Sequence, residues 1–585
     1  MLSMPAAADT LSRFTYSRLT DTFFSIDQAA FGDTLMRRIL IASVVLAGLA
    51  QPVSAGKLRL QIVDEDGETL PARVLVRPTG ADCLVPGDAV RLEIGPDRWF
   101  MTAGVVELDV PPGDLLVRVE HGLEFNRFRK TLTVPRGGLR ETVTLTRWID
   151  LRKRGYLCSD NHLHVDTRTL TPMLVCEGLD FGSSMTWWNG PDQRRPIPPG
   201  TGHVRLLTFA GRSTPTSVYD AELEFGWGAA YIQGMSEPLP LKSNRRRPNL
   251  EYLQRAKSAG GIVHYQAGWS REVLFDALSG VVDTVNICNN NFHMHRYQQR
   301  SHYSNLLNVE GLPVYPNTEA GMLAMNTDTY YRLLNCGLKL AAGAGSATGA
   351  KQVPIGYNRA YVRCDPDATL DEFHTAWAAG RNFVTNGPVL FLTTKDGAMP
   401  GDTIRLPAGG GTVEVNVDML CGEPTLKFER LDILVNGQIA DVRTPAPADD
   451  GLPGGVTVTL GRTLPIEIRH SSWIAVRCLA TDTLLSDDEL AVYSHGDDDD
   501  RYRIRPSRIR FAHTSPIYVD VEGSQRGELP AMQEADRMLE QFSAYAEQYC
   551  DESLRQAILS QIDQARANLA RRHSKNDLER DERLK

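Results

Sequence analysis

Between residues 57 and 148, apolar positions alternate with polar ones. Leu58, Leu60 and Ile62 are interleaved with Arg59 and Gln61, the period-two pattern of a strand with one buried face. Asp64-Glu65-Asp66-Gly67 predicts a turn before a second strand, Ala72 to Val76. Pro111-Pro112-Gly113 precedes the run Leu115, Val117, Val119, and Leu132/Val134 and Val143/Leu145 add further strands. Short strands separated by Gly/Pro turns predict a β-sandwich over 57–148.

From 150 to 395 the pattern changes. Short apolar runs (Gly178 to Ser184, His203 to Phe209, Gly261 to Tyr265, Thr284 to Cys288, Leu338 to Ala342) are separated in places by helical spacing, as in Asn249 to Ser258, Thr327 to Asn335 and Leu370 to Ala379. This mixture predicts an α/β domain with a largely parallel sheet or barrel. Alternation returns over 396–523 (Val413/Val415/Val417, Leu431/Ile433/Val435, Ile466/Ile468, Ile474/Val476), predicting a second β-sandwich. Residues 528–585 form a predicted helical tail. Met532, Ala535, Met538, Leu539, Phe542, Tyr545 and Ala546 keep i, i+3, i+4 spacing, and Asp551 starts a second helix.

Residues 36–55 carry an address. Arg37 and Arg38 precede a short apolar run, and Val53-Ser54-Ala55 fits a small-residue cleavage site. The expectation is translation from Met36, a mature chain opening at Gly56, and an exported protein, periplasmic or extracellular, with no transmembrane anchor after cleavage. Residues 1–55 are therefore set aside from the fold. The 585 residues suggest several domains, and 42% hydrophobic with 23% charged residues is a globular composition. A net charge of -9 gives no footprint for nucleic acid. Nine scattered cysteines without a CxxC pair exclude zinc ribbons and thioredoxin-like chemistry.

The chemistry concentrates at Ser159-Asp160-Asn161-His162-Leu163-His164-Val165-Asp166. On a strand His162 and His164 share a face, so two imidazoles can grip one divalent ion. Asp160 and Asp166 fall on the same side, as oxygen ligands or as groups that orient the rings. A second HxH, His293 and His295, lies in the polar run Asn289 to His295, with His302 beyond it. These are further candidate ligands. The glycine-rich Gly343 to Gly349 is a weak candidate for offering backbone N–H groups to an anion. Arg359 and Arg381 are read as pairing with surface acids, with an anionic substrate as the alternative.

GYLCSDNHLHVD followed by CEGLDFGSSMTWWN resembles the opening of the polymerase and histidinol phosphatase (PHP) superfamily, in particular its CehA/McbA-type metallohydrolases. The N-terminal region is similar to carboxypeptidase-regulatory-type sandwiches. The PHP resemblance covers roughly residues 150–520. It implies a distorted seven-stranded (β/α) barrel with the metal at the C-terminal mouth of the strands. It makes His264, in Gly260-Gly261-Ile262-Val263-His264, the third metal ligand beside His162 and His164. It places Asn286 near the site, Glu177 just before the Gly178-Leu179-Asp180 element, and Glu222 at a family carboxylate, with Glu224 an equal candidate by alternation.

The chain departs from the family where Thr186-Trp187-Trp188-Asn189, Gly226-Trp227-Gly228 and Gly343 to Gly349 replace expected ligands. A cluster of several metals is therefore not expected. The expectation is one divalent ion (zinc, manganese or iron), with Asp160 or Glu222 as general base and Trp187, Trp188 and Trp227 lining a pocket. The expected function is an exported metal-dependent hydrolase acting on an ester, amide, carbamate or phosphoester of a small-molecule or polymer-derived substrate. The alternative is an inactive PHP-like protein that binds or supports.

Overall fold

The computed structural model describes residues 56–189, 202–225, 228–239, 249–268, 272–293, 296–298, 315–316, 318–423, 425–444, 456–459, 463–483, 504–506 and 508–573. The expected export signal, residues 36–55, lies outside them. So do Trp227, His295, His302 and the acidic run Asp497 to Asp500. No helix among the described residues is long and apolar enough to cross a membrane.

The first region holds two sheets around one core. Gly56–Val63 sits between Val105–Val110 and Leu139–Thr144. Opposite lies a five-stranded sheet with Ala72–Pro78 at its centre. Leu58, Leu60 and Ile62 are fully buried and meet Val74, Val76, Val117 and Val119. Arg59 and Gln61 face water, as the alternation predicts.

In the central region the elements include β1 (Tyr156–Ser159), α1 (Thr167–Cys176), β2 (Gly182–Trp188), β3 (Val204–Phe209), β4 (Arg212–Phe225), β5 (Gly228–Gln233), β6 (Ile262–Gln266), β7 (Thr284–Cys288), β8 (Ala341–Ala344), β9 (Arg359–Arg363) and β10 (Asn382–Thr385), with further helices between the later strands. One sheet runs β2-β4-β5-β6-β7-β8, with β3 hairpinned onto β4. β2/β4, β6/β7 and β7/β8 are parallel, whereas β4/β5 and β5/β6 are antiparallel. The sheet is thus mixed rather than largely parallel. β4 ends at Phe225 and β5 begins at Gly228, a link too short for a parallel crossover.

The edge of β8 is closed by side chains. Ala342 N–H donates to Ser515 Oγ at 2.8 Å, and Ala342 O accepts from Trp377 Nε1 at 3.0 Å and Asn382 Nδ2 at 2.8 Å. Such caps satisfy backbone groups that an open edge would leave bare.

A nine-stranded sheet crosses the boundary expected at 395/396. It contains β1, β9 and β10 together with Ile509–Thr514, Ser472–Asp482, Ile517–Val521 and Thr403–Leu406. β10 pairs directly with Ile509–Thr514, so the central and C-terminal regions share one sheet. A second C-terminal sheet, centred on Gly411–Cys421, encloses a core with Val413, Val415, Ile433 and Val476. The tail is two helices, Leu529–Tyr549 and Glu552–His573, whose Leu539, Phe542, Ile558 and Ile562 join the central core. The described residues belong to one compact unit. The result is a sheet-rich protein built of several sheets and cores.

Charge networks tie the N-terminal sandwich to the rest. Glu120 accepts from Arg73 and from Arg118 (3.1 Å), and Arg73 also pairs with Glu177 at 3.2 Å. Burial works against the Glu120 charge, but Arg73 and Arg118 outweigh it and hold the carboxyl below its ordinary value of 4.5. This contribution is complete above pH 4.5 and fades as pH falls through the lowered native value. Glu120→Gln is expected to destabilise the fold by about 3 kcal/mol at neutral pH and by less in acid. Denaturant midpoints of the two proteins measured across this pH range check both magnitude and sign.

Candidate metal centre

His162 and His164 follow β1 and face one side, as the strand spacing predicts. Their Nε2 atoms lie 2.8 Å apart. β4 delivers the third group: Glu222 Oε1 is 3.3 Å from His162 Nε2, and Oε2 is 2.9 Å from His164 Nε2. The position of Glu222 follows from register, because it pairs with Trp188 of β2 and Tyr231 of β5. All three residues are buried, at 3%, 2% and 3% exposure. Among the described residues they are the one group of ligating side chains whose ligand atoms all lie within 4.8 Å of one another.

The electrostatics invite a cation. Burial alone would raise the Glu222 carboxyl, but the two imidazoles outweigh it and hold it well below the carboxylate range. Burial pushes His162 down to about 4 despite the neighbouring carboxylate, so it is neutral at pH 7. Two Nε2 atoms at 2.8 Å cannot both carry protons, so at least one lone pair faces the other ring. A buried carboxylate beside imidazole lone pairs lacks full compensation within the group.

Two histidines and a glutamate are a donor set for zinc or iron. The separations of 2.8, 2.9 and 3.3 Å fall short of the ~3.4 Å that ~2.1 Å bonds at tetrahedral angles require. Movements of a few tenths of an ångström would suit the group to an ion.

The surroundings are built to hold the two rings. Tyr231 stacks on His162, with ring centroids 3.8 Å apart, and the Trp188 ring lies 4.5 Å from His164. The loop after β8 packs against the pair. A Cβ on Gly345 would come within 2.5 Å of His162 Cβ, so only glycine permits this approach. His164 N–H donates to Thr348 O at 2.7 Å.

Several expected roles are corrected by position. The Asp160 carboxylate is held by backbone N–H groups rather than turned toward this group. Its Oδ1 accepts from His162 N–H and Ser346 N–H, both at 3.0 Å, and its Oδ2 accepts from Gly356 N–H at 2.8 Å. Asp166 caps α1, accepting from Arg168 N–H, Thr169 N–H and Thr169 Oγ1. Glu177 pairs with Arg73 of the N-terminal sandwich.

His264 does not join the group either. It lies in the same row as Glu222, but Tyr231 stands between them, and its ring is satisfied by Thr284 Oγ1 (Nδ1, 2.7 Å) and Gln233 Oε1 (Nε2, 3.1 Å). His293 is buried outside the group. Glu224 also stays outside, its N–H donating to Asn189 Oδ1.

Trp187 is a core residue facing Tyr252, and Asn286 forms a reciprocal amide pair with Asn161 at 2.8 Å. The Gly343 to Gly349 loop turns N–H groups inward: Gly345 donates to Cys288 O, and Ser346 to Asp160. Tyr231, which the sequence reading passed over, is set opposite Glu222 by strand register, and no local pattern in the sequence marks it.

Searches of family models, of curated proteins and of solved structures return no match for the chain.

Asp160→Ala would leave three buried N–H donors without their acceptor. It is expected to cost about 3 kcal/mol and to loosen both histidines. Thermal unfolding checks the first effect, and the histidine ring resonances in NMR spectra check the second.

Proposed function

We propose that this chain is a metal-dependent hydrolase in which His162, His164 and Glu222 hold one divalent ion. The observation that carries the reading is the convergence of two Nε2 atoms and one carboxylate, within 3.3 Å of one another and shielded from water. A three-ligand site leaves positions for water and substrate. When bound, such an ion lowers the pKa of its water and polarises an ester, amide or phosphoester.

The protein residues supply the remainder. Glu222 provides the negative charge and the oxygen ligand. Asp160 fixes the backbone that carries both histidines. Trp188, beside His164, offers an aromatic wall suited to a flat or apolar group.

We read the central region as a PHP-like distorted barrel. Two features support this. β1 approaches both ends of the β2-to-β8 sheet, through Asn161 N–H to Ala344 O (3.2 Å) and through Asp180 and Phe181 N–H to Cys158 O (3.1 and 3.2 Å). The histidines and Glu222 also lie toward the C-terminal ends of β1 and β4, where barrel sites sit. Export remains part of the proposal, on the strength of residues 36–55.

The burial of all three ligands favours a second reading, in which the ion is structural and the protein binds rather than cuts. One experiment separates them. Purified chain from Gly56 is expected to carry one zinc, manganese or iron by elemental mass spectrometry, and to hydrolyse activated aryl esters or phosphoesters. His164→Ala and Glu222→Gln are expected to lose the metal and to drop kcat/KM by more than about a hundredfold. Metal retained without hydrolysis supports the structural reading. Absence of metal from a folded wild-type chain contradicts both.

A further inference from the structure

The strands that carry the histidine cluster at one end border a large cavity at the other. It has a volume of about 530 Å³ and lies where β1, β2 and β4 begin. Its walls come from the segment after the strand Gly113–Glu120, from the C-terminal end of α1 and from the β3–β4 hairpin.

Four arginines line it: Arg147, Arg152, Arg212 and Arg359. Four carboxylates line it too: Asp367 is exposed to water, and the other three each have a cation of their own. Glu177 pairs with Arg73 (3.2 Å), Glu124 with Arg147 (3.5 Å) and Asp180 with Arg152 (2.7 Å). That leaves Arg359 and Arg212 without a carboxylate in an ion pair among the described residues.

Arg359 is the more telling of the two. It is only 2% exposed, and it donates to the Gly356 carbonyl, the Cys158 thiol and the Tyr361 hydroxyl, while the nearest carboxylate acting on it, Glu177, is paired with Arg73. Burial keeps that thiol and that phenol protonated, so these partners are neutral. A guanidinium does not lose its charge, and a buried one that shares its carboxylate with a second arginine is only partly compensated. This expected pairing with a surface acid is therefore replaced by a buried cation facing a cavity.

The remaining lining completes an amphipathic site. Leu206, on β3, lines the cavity while 66% exposed, and Leu123 and Phe181 add apolar surface. Exposed apolar surface beside partly compensated cations suits a ligand with an anionic head and an apolar body.

We propose that this cavity binds a small organic anion, its head on Arg359 and Arg212 and its body against Leu206 and Leu123. The site is separate from the histidine cluster and does not rest on the hydrolase reading.

Isothermal titration calorimetry of the full chain in EDTA tests this, with benzoate, phenyl phosphate and inorganic phosphate as probes. Saturable binding of benzoate or phenyl phosphate is expected, weakening as salt rises, and the tighter probe identifies the head as carboxylate or phosphate. Arg212→Gln, at an exposed position, is expected to weaken binding about tenfold. Leu206→Glu, which sets a like charge beside the ligand, is expected to weaken it further, and Arg359→Gln to remove it. If Arg359→Gln does not fold, the two rim variants carry the test. Heat from inorganic phosphate alone, no saturable heat from either organic anion, or equal affinity in Arg212→Gln overturns the proposal.

Discussion

One buried carboxylate positions the candidate metal centre. Asp160 is fully buried, and burial pushes it up to about 6, while three backbone N–H groups hold it in its ionised form. Those donors belong to three different segments: the histidine pair at His162, the glycine loop at Ser346 and the turn at Gly356. Each segment alone is an irregular loop with polar backbone to satisfy. Bound to one carboxylate, they lock together, and the glycine loop can close on the histidines at a distance that no side chain would allow.

The two ends of the strands then divide the chemistry. At the C-terminal ends, a carboxylate and two imidazoles converge with an excess of lone pairs, which suits a cation. At the N-terminal ends, Arg359 and Arg212 line a cavity without an ion pair of their own among the described residues, which suits an anion. The ion pairs between Arg73, Glu120 and Glu177 lie beside this second end and join the N-terminal sandwich to α1.

The local pattern along the chain was legible wherever one face of an element is buried. The alternation at Leu58, Leu60 and Ile62 and the helical spacing from Met532 to Ala546 both match what the structure shows. Sharing of elements between regions was not legible. Strand pairing across 395/396 joins β10 to Ile509–Thr514 over more than a hundred residues, and no local pattern encodes such a partner.

The candidate site divides the same way. His162 and His164 were visible as an i, i+2 pair, whereas Glu222 was named only through the resemblance, with Glu224 an equal candidate by alternation. Roles set by hydrogen bonding could not be read. Asp160 and Asp166 look alike in sequence, yet one organises loops and the other caps a helix. His264 fell to a partner effect, since Gln233 and Thr284 occupy both nitrogens and Tyr231 fills the space between it and Glu222. Arg359 was read as a surface ion-pair residue because sequence does not show which arginines fold inward without an acid.

Anomalous-diffraction crystallography of the chain grown with zinc tests the central claim most directly. The account predicts a single strong peak between His162 Nε2, His164 Nε2 and the Glu222 carboxylate. A map with no peak there, with the three side chains still in mutual contact, would contradict it.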